Sequence, residues 1–289
     1  MRSVKYFMAA AGAASLLSSA ALAADMPSIM PPPPQYYAPP PQDFGGWYLR
    51  GDIGMTNTRG KLFAPGYADA TTLSVNQVGH EFTGGTSFGV GVGYQFNNWF
   101  RADITGEYRS KVHFSGNDFA NINFGSGLGV FPINDTYSGG YSSWVGMLNV
   151  YADLGTWWCI TPFVGAGVGG AYNKISGISD ITTFPANLSA LVGVPLTSVY
   201  QANAANKFDL AWAVHAGLAY KVNQNFTIEL AYRYLDLGTA VTGGGSTFDG
   251  TISNRPFQFH DLTSQDLKIG VRWTCCDLPP PPPPLIRKG

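Results

Sequence analysis

The sequence predicts an all-β fold: an up-and-down antiparallel transmembrane β-barrel of eight strands, with long outer loops and short periplasmic turns. Three observations carry this expectation. Apolar and polar residues alternate with period two through eight segments, the connections between them alternate short and long, and a secretory leader precedes a chain that is poor in charge.

The leader comes first. Met1-Arg2-Ser3-Val4-Lys5 is basic, residues 6–22 carry no charge, and Ala21-Leu22-Ala23 presents small residues where a signal peptidase reads, so residues 1–23 are expected to be cleaved. Charged residues make up 12% of the chain, beside 36 glycines and 15 tyrosines; soluble domains carry roughly 25% charge. After the leader no apolar stretch is long enough for a spanning helix. A secreted chain of this kind can still cross a membrane by closing a barrel, which satisfies every backbone group internally. The net charge of −1 argues against a nucleic-acid partner.

Proline runs at 31–34, 39–41 and 279–284 favour polyproline II. They place proline-rich periplasmic segments at 24–44 and 277–289, on either side of a barrel over 45–276. Within it the expected strands are 47–57, 87–96, 99–111, 143–154, 161–172, 210–222, 226–234 and 266–274. In 99–111, Phe100, Ala102, Ile104, Gly106 and Tyr108 alternate with Arg101, Asp103, Thr105, Glu107 and Arg109. A soluble sandwich would turn the charged face to water. A small barrel inverts this, with apolar residues toward lipid and polar ones inward. The connections at 97–98, 155–160 and 223–225 are short; those at 58–84, 112–141, 173–207 and 241–263 are long. A barrel sorts its connections by side in this way, and a sandwich has no reason to.

Gly46-Trp47-Tyr48-Leu49-Arg50-Gly51-Asp52-Ile53-Gly54 resembles the first strand of small surface barrels of the opacity-protein and OmpA-like group. Thr161-Pro162-Phe163-Val164-Gly165-Ala166-Gly167-Val168-Gly169 is similar to that group's fifth strand, and Lys268-Ile269-Gly270-Val271-Arg272-Trp273 to its closing strand. The resemblance implies an outer-membrane surface protein serving envelope integrity, adhesion or immune exposure. Its expected partners are outer-membrane lipid and lipopolysaccharide and the barrel-assembly machinery, with peptidoglycan or a host surface as further candidates. A monomer without cofactor is expected. Members usually end on an aromatic residue; here residues 274–289 follow Trp273, so an internal assembly signal is expected around Gly270 and Trp273.

The strand parity aims Arg50, Asp52, Arg101, Asp103, Glu107, Arg109, Asp153, Lys221, Glu229, Arg233, Asp266, Lys268 and Arg272 into the lumen. Charges of both signs in near balance suit a salt-bridged plug, because eight strands leave an interior that side chains can fill. A narrow porin-like channel is the alternative. His215 is expected to hydrogen-bond in the lumen, whereas His80 and His260 fall in loops without a nucleophile partner. His113-Phe114-Ser115 resembles the motif of barrel enzymes that deacylate lipid A, in which His activates Ser; there it lies in later strands, and the expectation is a protein that is not an enzyme. No phosphate loop or metal-ligand spacing occurs. Cys159, Cys275 and Cys276 share the periplasmic rim, where disulfides are permitted. Cys159 with Cys275 or Cys276 is one expected pairing; Cys275 with Cys276, or three free thiols, are the others.

Overall fold

The computed structural model describes residues 46–63, 71–125, 127–193, 195–253 and 256–274. The expected leader, both proline-rich segments, Cys275 and Cys276 lie outside these residues. In chain order the elements are β1 (Gly46–Phe63), β2 (Thr72–Phe82), β3 (Gly85–Gln95), β4 (Phe100–Asn123), β5 (Val130–Asp153), β6 (Ile160–Thr183), α1 (Ala186–Val192), β7 (Thr197–Ala202), β8 (Ala205–Lys221), β9 (Phe226–Val241), β10 (Gly245–Thr247), β11 (Ile252–Ser253) and β12 (Gln258–Thr274).

Eight of these strands close a ring. The order is β1, β3, β4, β5, β6, β8, β9, β12 and back to β1, and every neighbouring pair is antiparallel. The period-two pattern explains why the ring closes with one face in. On β4, Arg101, Asp103, Glu107 and Arg109 are buried while Ile104 and Tyr108 are exposed. Leu49, Ile53, Val90, Leu148, Val168, Leu218, Leu230 and Ile269 extend the outward apolar belt around the ring. Water would not solvate such a belt; lipid does.

Aromatic rings border the belt at two levels. At the short-turn end Trp47 meets Tyr94 at 5.3 Å and Tyr94 meets Phe96 at 5.1 Å between centroids. At the other end Tyr108 meets Trp144 at 4.8 Å and Trp212 meets Tyr234 at 5.6 Å. Two of the short turns share one device. Asn97 Oδ1 accepts the N–H groups of Trp99 and Phe100, and Asn223 Oδ1 accepts those of Asn225 and Phe226. An Asn side chain that mimics a backbone turn is why this residue type recurs there. The third turn places Trp158 and Cys159 at φ 50° and 67°, the left-handed region that Asn and Gly favour.

The long connections depart from the expected loops. β4, β5 and β6 each run 24 residues, where a tilted membrane crossing takes about 9–11. Their outer halves continue as ladder and recruit β2, β7, β10 and β11 into one antiparallel wall, ordered β2, β4, β5, β6, β7, β10, β11. The Gly, Ser and Asn content of 112–141 reads as loop in one dimension. Cross-strand pairing with a neighbour of the same length overrides it. α1 sits between β6 and β7 and ends on Gly193 at φ 68°, whose N–H bonds to the Ser189 carbonyl.

Candidate functional site: the barrel lumen and the outer wall

The inner face of the ring is layered. Its lower layer holds twelve of the thirteen expected lumen charges: Arg50, Arg101, Arg109, Arg233, Lys268 and Arg272 against Asp52, Asp103, Glu107, Asp153, Glu229 and Asp266. The geometry spans the bore. β4 and β9 are four places apart in a ring of eight, so they face each other. Yet Arg233 Nη2 of β9 lies 2.6 Å from Glu107 Oε1 of β4, and Arg101 Nη1 of β4 lies 3.4 Å from Glu229 Oε1 of β9. Arg109 forks onto Asp266 at 2.8 and 3.1 Å, the two-pronged geometry that guanidinium and carboxylate favour. Lys268 bridges Glu107 at 2.7 Å and also contacts Asp52.

Neutral side chains complete the layer. Tyr48 donates to Asp103 at 3.1 Å, Asn149 donates to Asp103 at 2.8 Å, and Arg50 donates to the Tyr151 hydroxyl at 2.9 Å. The Arg101 guanidinium lies 4.2 Å from the Tyr151 ring centre and 4.7 Å from that of Phe163. Aromatic faces attract a desolvated cation, which compensates for Arg101 nitrogens that lack an acceptor. Small residues make room for these groups. A Cβ on Gly93 would stand 2.3 Å from Cζ of Tyr48, so only glycine lets that ring lie flat against β3.

The upper layer is apolar. Phe114, Tyr141, Val145, Met147, Ile175, Leu235, Leu237, Phe259 and Leu262 form one buried cluster. Phe82 of β2 packs onto it, its ring 5.6 Å from Phe114 and 6.1 Å from Phe259. This corrects the expectation of polar residues along the whole interior. The parity that aims Arg233 and Asp266 inward also aims Leu235, Leu237 and Leu262 inward, so the signal was present in the sequence. The same parity would have found Tyr48, Asn149, Tyr151 and Phe163.

Other expected residues fall elsewhere. Lys221 is exposed at the short-turn rim and joins none of the described ion pairs, because the lumen opens there to water. His215 points inward beside Tyr151 at 5.4 Å, but its Nε2 is buried without a hydrogen-bond partner, contrary to the expected lumen bond. His113 and Ser115 both stand exposed on the outward face of β4. His80 and His260 are on strands β2 and β12 rather than in loops. His80 is held by Asp118 and Tyr137. Cys159 is an exposed thiol in the left-handed third turn at the rim, and its expected partners Cys275 and Cys276 lie outside the described residues. Gly270 is buried against Asp52, and Trp273 faces outward at the short-turn end.

Comparison with known proteins places the chain. The model of the outer membrane protein beta-barrel domain matches residues 9–274. The chain belongs to the outer membrane protein β-barrel family. An uncharacterised protein of Brucella abortus is 32% identical over 212 residues, which cover 70% of each chain. Outer membrane protein PagN of Salmonella typhimurium is 27% identical over 154 residues, 52% of this chain and 56% of PagN. Among solved structures, OprG of Pseudomonas aeruginosa is 14% identical, covering 80% of this chain and 96% of OprG with a TM-score of 0.48. As a member of the outer membrane β-barrel family the protein resides in the Gram-negative outer membrane. The short turns then face the periplasm and the wall stands outside the cell.

Proposed function

We propose that this barrel is a closed, surface-exposed scaffold with a structural and interaction role, and not a conduit or an enzyme. The carrying observation is that side chains from opposite strands meet in the lumen, with Arg233 and Glu107 at 2.6 Å. Two charges at that separation leave no room for a water column between them. The apolar layer above adds a second barrier, since an ion there would lose its hydration.

The wall supports the interaction part of the reading. Its outer ends present Phe119, Val130, Leu191, Phe248 and Ile252 to water, Phe248 at 93% exposure. Large apolar side chains exposed on a rigid sheet suit contact with another surface. His113 and Ser115 are both exposed on the outward face of β4, which supports the non-enzymatic reading.

Planar-bilayer recording of the refolded protein tests the proposal. The expected outcome is electrical silence for the wild type. A steady open level would replace it with the channel reading. Cell-attachment assays with and without residues 245–253 test the interaction role, and attachment should fall when the hairpin is removed.

A further inference from the structure

The lipid-facing belt is hollowed on one side of the ring. Tyr108 of β4, Trp144 of β5 and Tyr172 of β6 stand opposite one another in the ladder, and Phe208 of β8 continues the row. Gly106, Gly146 and Gly170 form the row beneath, also opposite one another. Between the rows lies an open groove of about 480 Å³, floored by the three glycines and walled by Trp144, Tyr172 and Phe208. The Phe208 ring folds over the place where a Gly170 side chain would stand, and nothing lies within 4 Å of where a Cβ on Gly106 or Gly146 would be. The groove therefore opens to hydrocarbon over β4 and β5.

Two lysines stand on its aqueous side. The stretch from Phe100 to Tyr108 has the length of a tilted crossing, about 9–11 residues, so the Tyr108 row marks the outer edge of the hydrocarbon. Lys174 is the next exposed residue of β6 beyond Tyr172 and lies opposite Ser142 of β5. Lys111 of β4 reaches the same face through a bulge, the register shift between Arg109 and Val112. Unbroken alternation, with Tyr108 outward and Arg109 inward, would turn Lys111 into the lumen. The bulge re-aims it; it is exposed, and its stem lies across Gly140 of β5, toward β6. β4 and β6 are two strand spacings apart, about 10 Å, a gap that two flexible lysine stems can close around one anion. Neither ammonium joins a described hydrogen bond or ion pair. No exposed position of β4, β5 or β6 holds a carboxylate. Exposed Glu81 of β2 lies opposite Ser115, farther out from the membrane.

We propose that this face holds a lipopolysaccharide molecule of the outer leaflet by its lipid A end, with an acyl chain in the groove and a phosphate between Lys111 and Lys174. The two halves of the site match the two halves of that lipid at the right depth, apolar below the aromatic row and cationic above it. A phosphate monoester carries about 1.5–2 negative charges near neutral pH, which two lysines balance; the phosphodiester of a phospholipid carries one. A water-soluble partner has no access to a groove that opens to hydrocarbon. The site lies outside the ring, so it is independent of whether the lumen conducts.

Native mass spectrometry of the refolded full chain, released from zwitterionic micelles, tests the site with diphosphoryl hexa-acyl lipid A as probe. The heat-modifiable gel band reports folding. One tightly held lipid A per barrel is expected, ahead of further weaker copies. Lys111→Gln combined with Lys174→Gln should weaken that first copy roughly thirtyfold, the effect of two lysines at an anionic leaflet. Gly146→Leu, which fills the groove where a Cβ meets nothing, should weaken it too. A readout on the unaltered chain covers variants that do not fold: lipid A should shield Lys111 and Lys174, and not Lys61, from acetylation. Four results overturn the proposal. They are a first copy unchanged in the double lysine variant, one unchanged in Gly146→Leu, equal binding of phosphatidylglycerol, and no selective shielding of the two lysines.

Discussion

At the scale of residues, the lumen is governed by the cost of an unpaired charge. Glu107 accepts from Arg233 and Lys268 and contacts Arg109, all with side chains almost fully buried. Glu107→Ala leaves three cations short of their carboxylate. We expect a loss of about 3–5 kcal/mol, as when one partner of a buried pair is removed, read from urea unfolding of the refolded barrel. A variant as stable as wild type would show that water screens the network. A smaller effect of opposite sign belongs to the third turn. Trp158 and Cys159 both adopt left-handed φ, which costs an ordinary residue about 1–2 kcal/mol. Cys159→Gly should therefore raise the unfolding free energy by about 1 kcal/mol, read as a higher urea midpoint at unchanged slope. Parity revealed which charges face inward, and Lys221 was the exception because parity cannot tell where the rim ends. Which charge meets which was not legible. Glu107 and Arg233 are 126 positions apart in the chain, and only closure of the ring brings them together.

At the scale of elements, strand length decided most. The outer halves of β4, β5 and β6 use the same alternation as their membrane halves, yet their polar content reads as loop. Having become strands, they bring Asp118, Asp135 and Asp180 onto adjacent rungs. This predicts a pH response confined to the wall. The folded Asp180 carboxyl sits at about 7, above its ordinary value of 3.8, so the folded state holds the proton more tightly than the unfolded chain. Its contribution is full below the ordinary value and is lost as pH rises through about 7. Amide exchange of residues 133–137 and 178–182, corrected for intrinsic rates, should show more protection at low than at high pH across that window. Asp180→Asn should flatten the difference; an unchanged profile would assign the response to another group. β12 carries a separate expectation. Trp273 stands outward at the short-turn end of the closing strand, next to Phe226 in register. If assembly reads this internal signal, Trp273→Ala reduces the heat-modifiable form in outer-membrane fractions, while deletion of residues 279–289 leaves it intact. The reverse pattern would put the signal in the tail.

At the scale of the whole molecule, sidedness follows from the odd and even connections. Protease added to intact cells should cut near residues 184–196 and 248–251, the connections of the extracellular wall, and leave Asn97 and Asn223 untouched. Cleavage at either Asn would invert the topology. The sequence by itself determined the outward apolar belt, the direction of each lumen charge, the short turns and the even strand number. These are local: they depend on a period of two and on turn chemistry, both readable within a few residues. Tertiary structure alone decided that Glu107 and Arg233 meet across the bore, and that β2 stands outside the ring, pairs with β4 and carries His80 to Asp118. Each of these depends on which strands become neighbours when the sheet closes and how far their ladders continue. Contacts of that kind join residues tens to hundreds of positions apart, and no local pattern encodes them.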